Sequence, residues 1–330
     1  MPPWFGKQGD PPYRIFFATD VHGSEPTFRK FLNAAKGYGV DALVLGGDIS
    51  GKMLIPIIDL GAGKYTATLQ SNTVSITTDE LPSFEKKLAA LGFYSSVMDQ
   101  RQYERCTADS QEVERIFLNQ ACERLSAWIR LAKERLAGTE VRCYITGGND
   151  DHPQLVELLK REAGDAVVAC EDQVVRLERD YLMISLGYSN PTPWKTPREI
   201  TEMELGSKIE QVFAGVDDCT NVVFNMHVPP LDSTLDTCPM LDTSTDPPTV
   251  VTSGGELVLF GAGSLAVTDA IKKYQPLLSL HGHIHESRGV VKIGRTTAVN
   301  PGSEYGEGIL RGAIINLQGD KVKSAQLTSG

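Results

Sequence analysis

Apolar and polar positions near the start of the chain alternate between the strand period and the helix period. Residues 14–19 (RIFFAT) are a short apolar run that predicts a buried strand. Residues 24–36 follow with helical spacing, and Ser24 stands where an N-cap is favoured. Residues 41–45 (DALVL) predict the next strand, and this strand–helix–strand opening implies parallel pairing through a right-handed crossover. The third strand of the same character, residues 141–146 (VRCYIT), comes after an interval far longer than one crossover needs. Within it, Val113, Ile116, Phe117, Ala121, Leu125, Trp128, Ile129 and Ala132 fall on one face of a helix over residues 110–137, which reads as the true crossover. Residues 52–109 then form an insertion, a cap or flap. Its first part, residues 53–78, has β-rich patches around 65–76, and residues 80–91 have helical spacing.

Downstream, helices are predicted at 153–161, 202–214 and 264–274, and strands at 173–177, 181–186, 221–225, 277–280, 289–292, 296–299, 310–317 and 321–327. Residues 231–263, rich in Asp, Thr, Ser, Pro and Gly, read as a long loop. The pattern is that of an α/β chain forming a single domain over 1–330, with no internal repeat.

Composition adds limits. With 41% hydrophobic and 22% charged residues the chain has material for a large core and lacks the signature of disorder. A net charge of -10 argues against broad attraction to nucleic acid or an anionic membrane surface, and favours a small anionic substrate drawn to a local cationic site. The N-terminal stretch MPPWFGKQGDPPYR has no apolar segment and no long apolar run follows, so a cytoplasmic location is expected. The six cysteines are widely spaced with no C-x-x-C pair, and reduced thiols are expected.

Residues of metal-ligand type sit directly after the predicted core strands. Asp20-Val21-His22-Gly23 follows the first, Gly46-Gly47-Asp48 the second, Gly147-Gly148-Asn149-Asp150-Asp151 the third, and His227 the strand at 221–225. His281-Gly282-His283-Ile284-His285 follows residues 277–280. The carboxyl ends of strands in open α/β sheets face a common crevice, so these segments converge. Each alone is weak, because a strand-end Asp is commonly a helix cap. Together they hold five of the six histidines in the chain, which sets the group apart from chance.

The order D-x-H, G-D, G-N-x-D, H, G-H-x-H resembles the calcineurin-like metallophosphoesterase family over residues 14 to about 317, outside the insertions. The resemblance implies a four-layer α/β/β/α sandwich of two mixed sheets with the site at the strand ends. It implies that Asp20, His22 and His285 hold one metal, that Asn149, His227 and His283 hold the other, and that Asp48 bridges them. Such mixed donors suit two divalent ions of the Mn, Fe, Co, Ni or Zn type. Two such ions about 3.5–4 Å apart can share a hydroxide and clamp both the attacking and leaving oxygens of an in-line displacement.

One position departs from the family. Where members often carry a His after the motif's Asn, able to protonate the leaving group, this chain has Asp150, with His152 as a substitute two residues on. An ionised Asp cannot donate a proton, so good leaving groups are expected. Asp48, Asn149, Asp150 and His152 are the candidate catalytic residues, and Asp151 is read as orienting a ligand such as His22. His281 reads as packed, Asn300-Pro301-Gly302-Ser303 as a turn known from the family, residues 187–194 as a loop able to line the crevice, and Arg288 and Lys292 as solvated. The function expected is hydrolysis of small or nucleotide-like phosphodiesters. The alternatives are a phosphomonoesterase acting on protein or nucleotides, and a metal-free scaffold with the same fold.

Overall fold

The computed structural model describes residues 11–245 and 247–330; most of the N-terminal stretch read above for its lack of an apolar segment lies outside the described residues. Two six-stranded mixed sheets organise the chain. The first runs in the order Lys321–Ser329, Arg311–Gln318, Tyr13–Ala18, Ala42–Gly46, Arg142–Thr146, Val167–Ala169. Its last four strands are parallel, and Arg311–Gln318 pairs antiparallel on both sides. The second runs Gly289–Ile293, Thr296–Asn300, Leu278–Leu280, Val222–Met226, Leu182–Leu186, Val174–Arg176, with parallel pairing at the centre and an antiparallel strand at each edge.

Successive side chains of a strand face opposite ways, and the core divides accordingly. Phe16, Leu43, Leu45 and Ile145 join Phe28 and Phe31 of helix Glu25–Gly37 and Leu125, Trp128 and Ile129 of helix Ser110–Leu136 in one cluster. Phe28 stacks on Trp128 with centroids 4.1 Å apart. The intervening residues Ile15, Phe17, Ala42, Val44 and Tyr144 meet Met183, Val223, Leu278 and Val299 of the second sheet. Ile184, Val222, Phe224 and Met226 point the other way, onto helices Glu202–Phe213 and Leu265–Tyr274.

The interval before Arg142–Thr146 holds a separate four-stranded sheet, ordered Asn72–Thr77, Lys64–Leu69, Leu54–Gly61, Tyr94–Met98, with helix Leu81–Ala90. Ile55, Ile57, Ala67, Ile76 and Leu88 give it a small core of its own. Helix Gln100–Ala108 then leads into the crossover helix. The structure adds elements, and it corrects one expectation. Tyr94–Met98 and Gln100–Ala108 were not anticipated, nor was the edge strand Val167–Ala169, whose three residues are too short for a period to show. Residues 231–263 are no plain loop, since they contain the antiparallel pairs Thr237–Pro239 with Leu259–Gly261, Leu241–Asp242 with Thr249–Val250, and Thr252–Ser253 with Glu256–Leu257. Ser24 occupies the N-cap position, yet its hydroxyl donates to the Ala90 carbonyl at 2.9 Å and not to the helix, tying the helix start to the insertion.

Candidate metal centre

Five loops at the carboxyl ends of parallel strands bring the sequence-predicted donors together. Asp20 and His22 follow Tyr13–Ala18, Asp48 follows Ala42–Gly46, and Asn149 follows Arg142–Thr146; His227 follows Val222–Met226, and His283 and His285 follow Leu278–Leu280. Asp20, His22, Asp48 and His283 have φ of 51°, 38°, 48° and 66°, left-handed conformations that cost non-glycine residues about 1–3 kcal/mol each. Neighbouring backbone holds them there: Asp20 N–H donates to Gly47 O at 3.0 Å, and His22 N–H to Asp48 O at 3.0 Å. The His283 N–H donates to the Asp20 carboxylate at 3.1 Å.

Asp20, His22 and His285 form one group of donors, and Asp48, His227 and His283 a second, the donor atoms of each lying within 4.8 Å of one another. His285 Nε2 is 3.3 Å from Asp20 Oδ1 and 3.1 Å from His22 Nε2. Asp48 stands between the groups, with Oδ1 3.4 Å from His227 Nε2 and Oδ2 3.6 Å from His22 Nε2. His227 Nδ1 donates to the Gly46 carbonyl at 2.9 Å, which turns Nε2 into the centre.

Asn149 is oriented in the same manner. The Thr196 hydroxyl donates to Glu199 Oε1 at 2.8 Å, so it accepts from Asn149 Nδ2, also at 2.8 Å, and the Asn149 carbonyl turns the other way. Asn149 Oδ1 and His227 Nε2 are buried without a hydrogen-bond partner. Such groups cost about 1–3 kcal/mol each unless something partners them. A cation does so, and the mixed carboxylate, amide and imidazole set is of the type that holds divalent metals.

Burial and neighbouring charges compete over the ionisation of the donors. Burial works against charge on His227, but the carboxylates of Asp48 and Asp20 outweigh it and raise the imidazole to about 10. Burial likewise opposes charge on Asp20, yet the hydrogen bond from His285 and the charges of His285 and His227 carry it below its ordinary value. Asp48 is lowered in the same way by His227 and His22 against burial. His22 is lowered well below its ordinary value, by burial first and then by the charge of Lys52. Burial also lowers His283, to about 4, with His227 adding to the effect.

Asp150 lies at the edge of this centre and forms a third donor group with His22 and Asp48. Its Oδ2 is 3.8 Å from His22 Nδ1 and 2.9 Å from Lys52 Nζ. Burial and Asp48 push its carboxyl up to about 6, with Lys52 pulling the other way. The other expectations divide. His152 is the N-cap of helix Pro153–Glu162, its Nδ1 accepting from Gln154 N at 3.2 Å, and it belongs to none of the donor groups. Asp151 does not orient His22; it accepts from Ile49 N, Ser50 N and Gly148 N and from the Ser50 hydroxyl, stapling two of the ligand loops together. The partner of His22 Nδ1 is the Ser50 carbonyl at 3.3 Å.

His281 is packed as expected, bonded to Ser279 Oγ and the Met226 carbonyl. Asn300 donates to the carbonyls of Leu235, Gly282 and Ile284, and Ser303 donates to Asp20 O at 2.7 Å, so the N-P-G-S turn secures two of the ligand loops. Arg288 and Lys292 bond to Thr328 and Thr297 instead of reaching the centre. Lys52, Thr196 and Tyr305 were missed. The Tyr305 ring lies 4.6 Å from that of His22 and 5.9 Å from that of His285. For Lys52 a signal existed, a lysine just beyond the G-G-D turn; for Thr196 there was none.

No family model matches the sequence. An uncharacterized protein of Methanocaldococcus jannaschii is 30% identical over 132 residues, 39% of this chain and 52% of that protein, so the chain spans about half the length of this relative. Among solved structures, one with 16% identity matches at a TM-score of 0.58, covering 96% of this chain and 98% of its own. The protein TT1561 of Thermus thermophilus matches at 0.53 with 14% identity, covering 97% and 98%. Identities this low speak to a shared fold. Among the described residues no helix is long and apolar enough to cross a membrane.

Proposed function

We propose that this chain, which resembles the calcineurin-like metallophosphoesterases in motif order and in the donor groups its fold gathers, is a binuclear metal-dependent phosphodiesterase. The observation that carries this reading is the pair of donor groups, with Asp48 near both, together with the Asn149 Oδ1 and His227 Nε2 atoms buried without hydrogen-bond partners. Asp20, His22 and His285 would hold one ion, Asn149, His227 and His283 the other, and Asp48 both. When bound, two divalent ions supply charge neutralisation for the phosphate and a lowered pKa for attacking water.

The chain's own residues supply the rest. Ser50 and Gly46 carbonyls aim His22 and His227, Thr196 aims Asn149, and Asp151 fixes the loops that carry Asp48 and Asn149. His152 is engaged as a helix cap and Asp150 is paired to Lys52, so neither of these two side chains is a ready proton donor for the leaving group. The four-layer α/β/β/α order fits the three core clusters, and the insertion at 52–109 is read as a flap. Small or nucleotide-like diesters with good leaving groups are the substrates this arrangement favours.

The test is a panel of aryl phosphodiesters of graded leaving-group pKa, with matching monoesters, on metal-stripped protein refilled with Mn²⁺, Fe²⁺, Co²⁺, Ni²⁺ or Zn²⁺. Hydrolysis that falls steeply as the leaving-group pKa rises, with diesters preferred, is expected. Equal rates across the series would remove the inference about the missing acid, and monoester preference would favour the phosphatase alternative.

A further inference from the structure

Lys52 and Asp150 place one positive and one negative charge at the edge of the donor groups. Lys52 Nζ is 2.9 Å from Asp150 Oδ2, with the lysine side chain 46% exposed and the aspartate 15%. The Asp150 carboxylate stands 3.8 Å from His22 Nδ1, and its N–H donates to Asp48 Oδ1 at 3.0 Å. The lysine charge therefore bears directly on the centre and is felt by His22, Asp48 and His285. The ammonium is at the open side of the pair and the carboxylate at the closed side.

A carboxylate beside a phosphate site repels the incoming anion unless a cation is held against it. We propose that Lys52 and Asp150 are a charge-setting pair that fixes the preference between phosphodiesters, which carry one negative charge, and monoesters, which carry two; this rests on the phosphoesterase reading above. Intact, the pair adds no net charge to the site. Removing the carboxylate adds one positive unit, and removing the ammonium subtracts one. A dianion feels each change about twice as strongly as a monoanion, because the interaction scales with the product of charges. Asp150→Asn thus moves preference toward monoesters, Lys52→Met moves it away, and the double variant returns near the starting value.

The experiment measures kcat/KM for an aryl diester and the matching monoester at about pH 8, where the second phosphate pKa of about 6 leaves the monoester dianionic. The four proteins are wild type, the two single variants and the double variant. Bound metal is counted in each, and inorganic phosphate affinity is measured by calorimetry on the metal-loaded proteins. The monoester-to-diester ratio should rise roughly tenfold in Asp150→Asn and fall roughly tenfold in Lys52→Met. Phosphate should bind more tightly in the first and more weakly in the second, with metal content unchanged. A ratio that stays fixed, or moves the same way in both single variants, overturns the pair's role while leaving the phosphoesterase reading intact. Loss of metal from Asp150→Asn also overturns it, since Asp150 would then be a ligand. A wild-type protein that takes up metal but hydrolyses neither ester overturns the underlying reading and the proposal with it.

Discussion

His227 shows how the centre behaves at the scale of single residues before any metal arrives. Its imidazole, raised to about 10 from an ordinary 6.5, stays protonated in the folded metal-free chain through neutral pH and offsets the charge of Asp48 and Asp20. That contribution to stability is complete below pH 6.5 and is lost as pH rises toward 10. His281 and His283 act with the opposite sign. Held near 4 by burial, they stay neutral in the fold while the unfolded chain takes up protons below 6.5, so stability falls on acidification. His22, lowered by burial and Lys52, adds to that fall. Metal-free protein should therefore lose stability between about pH 6.5 and 9, measured as the denaturant midpoint, whereas a midpoint rising steadily to about pH 9 would contradict the protonated His227. The donors were legible in the sequence because each stands directly after a strand of recognisable period. Thr196 was not, because its part depends on meeting Asn149 across the fold, and nothing in its neighbours announces that meeting.

At the scale of elements, the insertion is pressed against the ligand loop by glycines. Gly92, with φ of 82°, packs on the His22 carbonyl, and a Cβ there would collide with it; Gly51 meets the Gly92 carbonyl in turn. The Tyr94 hydroxyl accepts from Gly51 N at 2.9 Å, and Arg124 reaches from the crossover helix to the Gly23 carbonyl at 2.8 Å. Gly138 has a similar φ of 73° but open space around it. Gly92→Ala should cost more than the about 1 kcal/mol expected of Gly138→Ala and should weaken metal binding, while Gly138→Ala keeps it. Urea midpoints and metal titration of the two variants check this, and equal behaviour would mean that the insertion does not bear on His22. The long crossover helix was legible because its apolar face repeats through Ile116, Leu125, Trp128 and Ile129. Tyr94–Met98 was not, since its paired serines break the apolar run and its place comes from pairing with Leu54–Gly61. The three hairpin-like pairs in 231–263 are held by backbone pairing of two or three residues each, below the length at which alternation can be read.

At the scale of the molecule, an acidic chain with a net charge of -10 gathers its buried histidines and carboxylates at one end of two sheets. Four of its donors hold left-handed backbone, and two of its donor atoms are buried without hydrogen-bond partners. Such a concentration has a physical explanation if cations complete it, and the central claim is that two do. The most direct measurement is the metal content per chain of wild type and of Asp48→Asn after stripping and refilling, read beside diester hydrolysis. Two equivalents in wild type, with metal and hydrolysis both lost from Asp48→Asn, is the predicted result. A folded wild type that binds no divalent metal, or an Asp48→Asn protein that keeps both ions and full activity, would contradict it.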